Sequence, residues 1–193
     1  MTVPLLREIY PHDVRDEVRT LSLLRALLGQ DGSTTRLCEV IAGAPVELCL
    51  HSQTRVDAVP EIVLEHLGGA SWIERITSLH VAGRVMMDNL TWTRVEGIPP
   101  EFADDLERGE LPVGRLLDRL FVKRQLIQAS NLGEILWAVT GLPDARASRA
   151  YTISTQFGSS ESGDPSPIGA ALGSRSAFML VFETYRAEIA DRF

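Results

Sequence analysis

Two charged side chains fall where the chain around them calls for burial. In the segment Trp72–Val81 (WIERITSLHV), Arg75 alternates with Ile73, Thr77, Leu79 and Val81, so it shares the more apolar face of a predicted strand. In Phe178–Tyr185 (FMLVFETY), both faces are apolar, as a central strand requires, except that Glu183 shares a face with Met179, Val181 and Tyr185. A buried arginine is costly unless it meets an anion. It grips a carboxylate with two parallel hydrogen bonds, and a carboxylate beside it accepts a hydroxyl proton or acts as a base. The residues alone leave two arrangements open. Arg75 and Glu183 pair with each other or snorkel to the sheet edge, or they hold a small ligand on a sheet face.

Other chemistries find less support. The histidines His12, His51, His66 and His80 are scattered without metal-ligand spacing, and the two cysteines form no CxxC. There is no P-loop and no Gly-rich dinucleotide fingerprint. Gly158–Gly163 (GSSESG) lacks both the GxSxG spacing and the strand-turn-helix context of a nucleophile elbow. The net charge of −7 (26 acidic, 19 basic) argues against a broad nucleic-acid surface but not against an anionic small molecule, which needs only one or two arginines. No cationic and apolar leader is present, and no apolar run approaches the roughly 20 residues of a membrane span. The expectation is a cytoplasmic chain of one domain, residues 1–193, with Cys38 and Cys49 as free thiols and a monomer favoured.

The elements that must position these charges follow from pattern. Asp13 is a plausible N-cap for a helix over Val14–Leu28, closed by Gly29. Asp31–Leu50 (DGSTTRLCEVIAGAPVELCL) reads as a hairpin with a polar lip at Ser33, Thr34 and Thr35. Ala42-Gly43-Ala44-Pro45 would be its turn, and Cys38 would face Cys49 across it. A short helix ending at Leu67 is stopped by Gly68-Gly69. After Trp72–Val81, Ala82-Gly83-Arg84 turns into a strand over Val85–Trp92. Glu101–Glu107 is a short acidic helix broken by Gly109. Leu111-Pro112-Val113-Gly114 then opens a longer one, with Lys123 and Arg124 on its polar side. Leu132–Val139 leans to strand, Ala150–Thr155 is a strand, and Gly158–Ser176 is a long Gly/Ser/Pro-rich loop.

The order GSTTRLxE, an apolar strand with a lone arginine, LPVGR, then LVFETY resembles the chorismate pyruvate-lyase family, closest to its actinobacterial branch, from about Leu21 to Tyr185. The resemblance implies an α+β fold, a single antiparallel sheet of about six strands with helices packed around it. It implies conversion of chorismate to 4-hydroxybenzoate and pyruvate without metal or organic cofactor. It also implies that Arg75 and Glu183 are the catalytic and ligand-binding side chains, and that Thr34 and Val113 contact ligand through their backbone. The chain departs from the family at Asn89 and Leu90, where some members carry a further charge, and in the longer 158–176 loop. Arg84, Arg149 or Arg175 would then supply a second cationic contact for a dicarboxylate. Two alternatives remain: a relative recruited to a specialised biosynthetic pathway with another substrate, or a non-catalytic small-acid-binding module. The same scaffold serves as the effector half of some transcription regulators, although the roughly 30 residues before the hairpin are too few for a winged helix.

Overall fold

The computed structural model describes residues 26–96, 98–118, 120, 122–127, 148–155 and 177–186. The helix expected over Val14–Leu28 therefore lies outside them, apart from the helical residues 26–29. Leu132–Val139 and the 158–176 loop lie wholly outside. The architecture is α+β: one open antiparallel sheet of six strands, in the order β1-β2-β3-β6-β5-β4. The strands are β1 (Glu47–Val56), β2 (Trp72–Val81), β3 (Arg84–Arg94), β4 (Val122–Ile127), β5 (Ser148–Thr155) and β6 (Ala177–Tyr185). Strand β6 lies between β3 and β5, as its two apolar faces demanded. The β2–β3 connection is a tight turn with Ala82 at φ 50° and Gly83 at φ 76°, the left-handed pair that matches the twist of the flanking strands.

The hairpin expected over 31–50 is not formed. Thr34–Ala42 is instead a helix, α1, and only its second half becomes a strand, β1. Ser33 caps α1 by accepting from the Arg36 N–H, and Gly43 closes it at φ 63°. Leu37, Cys38 and Ile41 pack on one apolar cluster at helical spacing. Cys38 consequently faces Met87 rather than Cys49, with Sγ 3.8 Å from Sδ, and both cysteines are free thiols.

Three further helices are α2 (Glu61–Leu67), α3 (Pro100–Arg108) and α4 (Val113–Leu117). Helix α4 is shorter than expected. Its hydrogen-bonded turns start from the Pro112 carbonyl and end with the Leu120 N–H bonded to the Leu117 carbonyl, and the chain then enters β4. Lys123 and Arg124 are therefore strand residues, and alternation sends them to opposite sheet faces.

The two sheet faces are covered differently. Helix α2 packs on β6 over Trp72, Leu90, Trp92, Leu180 and Phe182, where Trp92 and Phe182 meet edge to face at 5.5 Å. On the other face, α1 covers Leu79, Val81 and Met87, while α3 and α4 cover Ile73, Ile153 and Met179. Between those two apolar clusters the second face carries the polar residues. No helix among the described residues is long and apolar enough to cross a membrane.

Candidate functional site

Antiparallel register places paired residues on one face, and it builds the site in two rows. One row runs Gln53, Arg75, Thr91, Val181 and Tyr151 across β1, β2, β3, β6 and β5; the next carries Thr77, Asn89, Glu183 and Arg149. Above these rows the first residues of α1 and α4 converge. The approach is close enough that a Cβ on Gly114 would lie 2.6 Å from Thr35 Oγ1, so glycine is what this contact allows. Beneath that convergence is a cavity of about 430 Å³, counting the space open at its mouth. Thr34, Val113, Glu183, Thr91, Tyr151 and Arg124 line it together with apolar side chains of β1, β2, β3, α4 and β6. Its lining, apolar with a few convergent polar groups, has the character of a small-molecule site.

Glu183 is buried and fully engaged. Its Oε1 accepts from Thr34 Oγ1 at 2.8 Å and from the Tyr151 hydroxyl at 2.7 Å, and its Oε2 accepts from Arg149 Nε at 2.7 Å. Arg149 is equally buried. Its Nη1 donates to the carbonyls of Leu27, Leu28 and Gln30, and its Nη2 donates to Thr34 Oγ1 at 2.9 Å. The first two carbonyls belong to the end of the helical segment 26–29, where backbone acceptors lack helical partners and a cation is favoured. Burial alone would lower the Arg149 pKa, but the Glu183 charge outweighs it and the net shift is upward. Burial and the same carboxylate hold the Tyr151 and Tyr185 phenols above their ordinary range, and push the Cys38 thiol up to about 12.

Arg75 is in a different state. It is 1% exposed and does not line the cavity. Its Nη2 donates to the Gly109 and Leu111 carbonyls at 3.3 and 2.9 Å, tying down the link between α3 and α4. Its Nε and Nη1 are buried without a hydrogen-bond partner, and desolvation lowers its pKa to about 10. It does not pair with Glu183.

Of the residues singled out from sequence, Thr34, Val113 and Glu183 thus meet at the cavity, and Arg75 sits behind the Pro112–Gly114 wall it holds in place. The Thr34 hydroxyl is occupied by Glu183 and Arg149. Arg149, one of three arginines offered as a second cation, is the partner of Glu183 instead; Arg84 is exposed on the hairpin turn, and Arg175 lies outside the described residues. Sequence reasoning missed Tyr151 and Arg124. The signal for Tyr151 was present, since Arg149, Tyr151 and Ile153 alternate as Arg75 does, and beginning that strand at Ser148 would have exposed it. Arg124 was hidden by extending α4 too far. Among the described residues no group of three or more His, Cys, Asp or Glu side chains is placed to hold a metal. The described histidine with the most definite partner, His51, lies away from the cavity, with Nε2 2.5 Å from Ser78 Oγ.

No family model matches the chain, and no curated protein does. Solved structures with a similar fold include a GntR-family transcriptional regulator from Bacillus cereus (16% identity, 72% of this chain and 90% of that one, TM-score 0.39). The effector domain of PhnF from Mycobacterium smegmatis is similar at 16% identity, over 81% of this chain and 90% of that one, with TM-score 0.40. The effector-binding domain of the B. subtilis trehalose repressor is similar at 10% identity, over 74% and 91%, with TM-score 0.38. Likeness at this level transfers neither ligand nor activity to this chain.

Proposed function

We propose that the cavity binds a small organic acid and that the domain holds this ligand without transforming it. The observation that carries the reading is a charge imbalance. Among the described residues, three guanidinium groups, Arg75, Arg124 and Arg149, stand on the cavity's sheet face against one carboxylate, Glu183. Arg149 already neutralises Glu183, so the surplus is positive and an anion is the ligand it favours. The groups that would do chemistry are occupied. Glu183 accepts three hydrogen bonds and is ill placed to take a proton, while the Thr34 and Tyr151 hydroxyls both donate to it.

A second reading, a chorismate lyase, is supported by one specific observation: Thr34, Val113 and Glu183, brought together by motif order alone, line the same cavity. Elimination of pyruvate from chorismate asks a protein mainly for orientation and electrostatics, so occupied side chains do not forbid it. Thermal unfolding with 4-hydroxybenzoate or chorismate, alongside a pyruvate assay, separates the two. A raised midpoint with no pyruvate above the buffer control is the expected result. Pyruvate release would replace the binding reading by the lyase one. No shift with either compound would count against both.

A further inference from the structure

The sheet face turned away from the cavity carries a second cluster, which joins a thiol to a carboxylate. In the β1–β2–β3 register Cys49 pairs with Ser78, and Ser78 with Asp88. Their neighbours Leu48, Leu79 and Met87 line the cavity, so alternation sends these three side chains to the opposite face. The β1–β2 register shifts between Leu50 and Ser52, which leaves His51 as the extra residue of a bulge, a feature that re-aims a side chain. Its ring reaches two neighbours: Nε2 lies 2.5 Å from Ser78 Oγ, and Nδ1 lies 4.0 Å from Cys49 Sγ.

The hydrogen bonds fix which ring nitrogen carries the proton. Ser78 has one hydroxyl proton and donates it to Asp88 Oδ1 at 2.6 Å, while Arg186 Nε donates to the other oxygen of that carboxylate. Ser78 can therefore only accept from His51, so Nε2 is the protonated nitrogen. The free lone pair is on Nδ1 and faces the thiol. Ser78 and Asp88 are buried, whereas Cys49 is half-buried and His51 exposed. A nucleophile beside a base, with the base oriented by a third, anchored group, is the arrangement that activates a thiol. Cys38, the other cysteine of the chain, is wholly buried against Met87, so a reagent in solution meets Cys49 first.

We infer that Cys49 is a site of covalent modification by small disulfides, with His51 as its general base and Ser78 and Asp88 as positioning residues. His51 Nδ1 takes the thiol proton, and the Cys49 sulfur attacks one sulfur of the disulfide. The new S–S bond forms as the old one breaks, and the leaving thiolate recovers the proton from His51. Cys49 is thereby oxidised to a mixed disulfide, and the reagent is reduced by release of one thiol. No further co-reactant is needed. The inference is independent of what fills the cavity, since neither Cys49 nor His51 lines it.

The test follows the full chain at pH 7 with dithiodipyridine, a neutral disulfide whose released thiol is read by absorbance, and maps the adduct by peptide mass. One equivalent should react rapidly and map to Cys49, and Cys49→Ser should abolish that phase. His51→Gln, which leaves Cys49 as accessible as before, should slow the phase by about tenfold or more, the scale of general-base assistance. Ser78→Ala should slow it by a smaller factor, and Ser78→Thr, which keeps the hydroxyl, should restore part of the rate; melting curves check that each variant is folded. Nitrogen NMR of the His51 ring should show the proton on Nε2 in the wild type and a loss of that preference in Ser78→Ala, a change that a merely structural serine would not produce. A wild-type rate retained in His51→Gln would mean that exposure alone makes Cys49 reactive, and it would overturn the inference. So would a ring proton on Nδ1 in the wild type, a rate unchanged in Ser78→Ala, or an adduct that maps to Cys38.

Discussion

At one end of the cavity a buried arginine, Arg149, meets a buried carboxylate and the carbonyls of a helix end; on the far side of the same sheet face a buried arginine, Arg75, meets carbonyls alone. The two side chains are exposed to 5% and 1%, so burial does not separate them. Their partners do. Arg149 has a counter-charge, and its pKa is raised; Arg75 has none, and burial pulls its pKa down to about 10. The Glu183 end is a completed polar network, of the kind that rigidifies a core when every member is satisfied. The Arg75 end, with its register partner Thr91, keeps two guanidinium nitrogens and a hydroxyl unpartnered. The first end is closed on itself, and the second leaves hydrogen-bonding capacity unused.

The largest effect should follow from breaking the completed end. Glu183→Gln leaves Arg149 charged, buried and facing an amide, and removing one partner of a buried ion pair typically costs about 3–5 kcal/mol. Urea unfolding at neutral pH should show a loss in that range, and Arg149→Met added to the same chain should recover part of it. A loss below about 1 kcal/mol would mean that the helix-end carbonyls alone hold Arg149, and the contrast between the two ends would weaken.

Arg75→Met should do much less. It removes two hydrogen bonds to the Gly109 and Leu111 carbonyls, but it also removes an uncompensated buried charge with two unpartnered nitrogens. These terms oppose each other, so the same urea experiment should show a change within about 1.5 kcal/mol of wild type, in either direction. A loss comparable to that of Glu183→Gln would mean that the α3–α4 link depends on Arg75 for its fold, and the second end would be structural as well.

Why one end was readable in the sequence and the other only partly has a physical answer. Strands β2, β3 and β6 announce themselves because alternation is a local property, and a lone charge within it, Arg75 or Glu183, stands out without knowledge of its neighbours. Which charge meets which depends on strand order. Glu183 meets Arg149 because β5, not β2, is the neighbour of β6, and nothing local encodes that. Helix α1 was misread as half of a hairpin because LCEVIA is too short for period alone to separate helix from strand. The Ser33 cap and the left-handed Gly43 carried the information that its apolar residues did not. Arg124 was misplaced for a related reason: LLDRLFVKR continues in helical character past the point where tertiary pairing with β5 takes the chain into a strand.

The smallest effect, and the one that sharpens the contrast most, is alkaline pH, because the two ends respond with opposite sign. At the Glu183 end, burial and then the Glu183 charge raise the Cys38 thiol from 9.0 to about 12. The folded state keeps this proton while the unfolded chain loses it, so the contribution is complete below pH 9 and declines as pH rises through the interval up to 12. The raised phenols of Tyr151 and Tyr185 add to that decline from about pH 10. Arg75 behaves oppositely. Its folded pKa of about 10 lies below the ordinary guanidinium value, so its burial cost is complete below pH 10 and is relieved above it. Between pH 9 and 10 the thiol therefore acts with little opposition, and stability should fall by about 1 kcal/mol over that unit. Urea unfolding at pH 8, 9 and 10 should show the fall in wild type and a shallower one in Cys38→Val, which fills a similar volume against Met87 without a titrating group. Equal slopes in the two proteins would remove Cys38 from the Glu183 network and leave the phenols as the groups that report its charge.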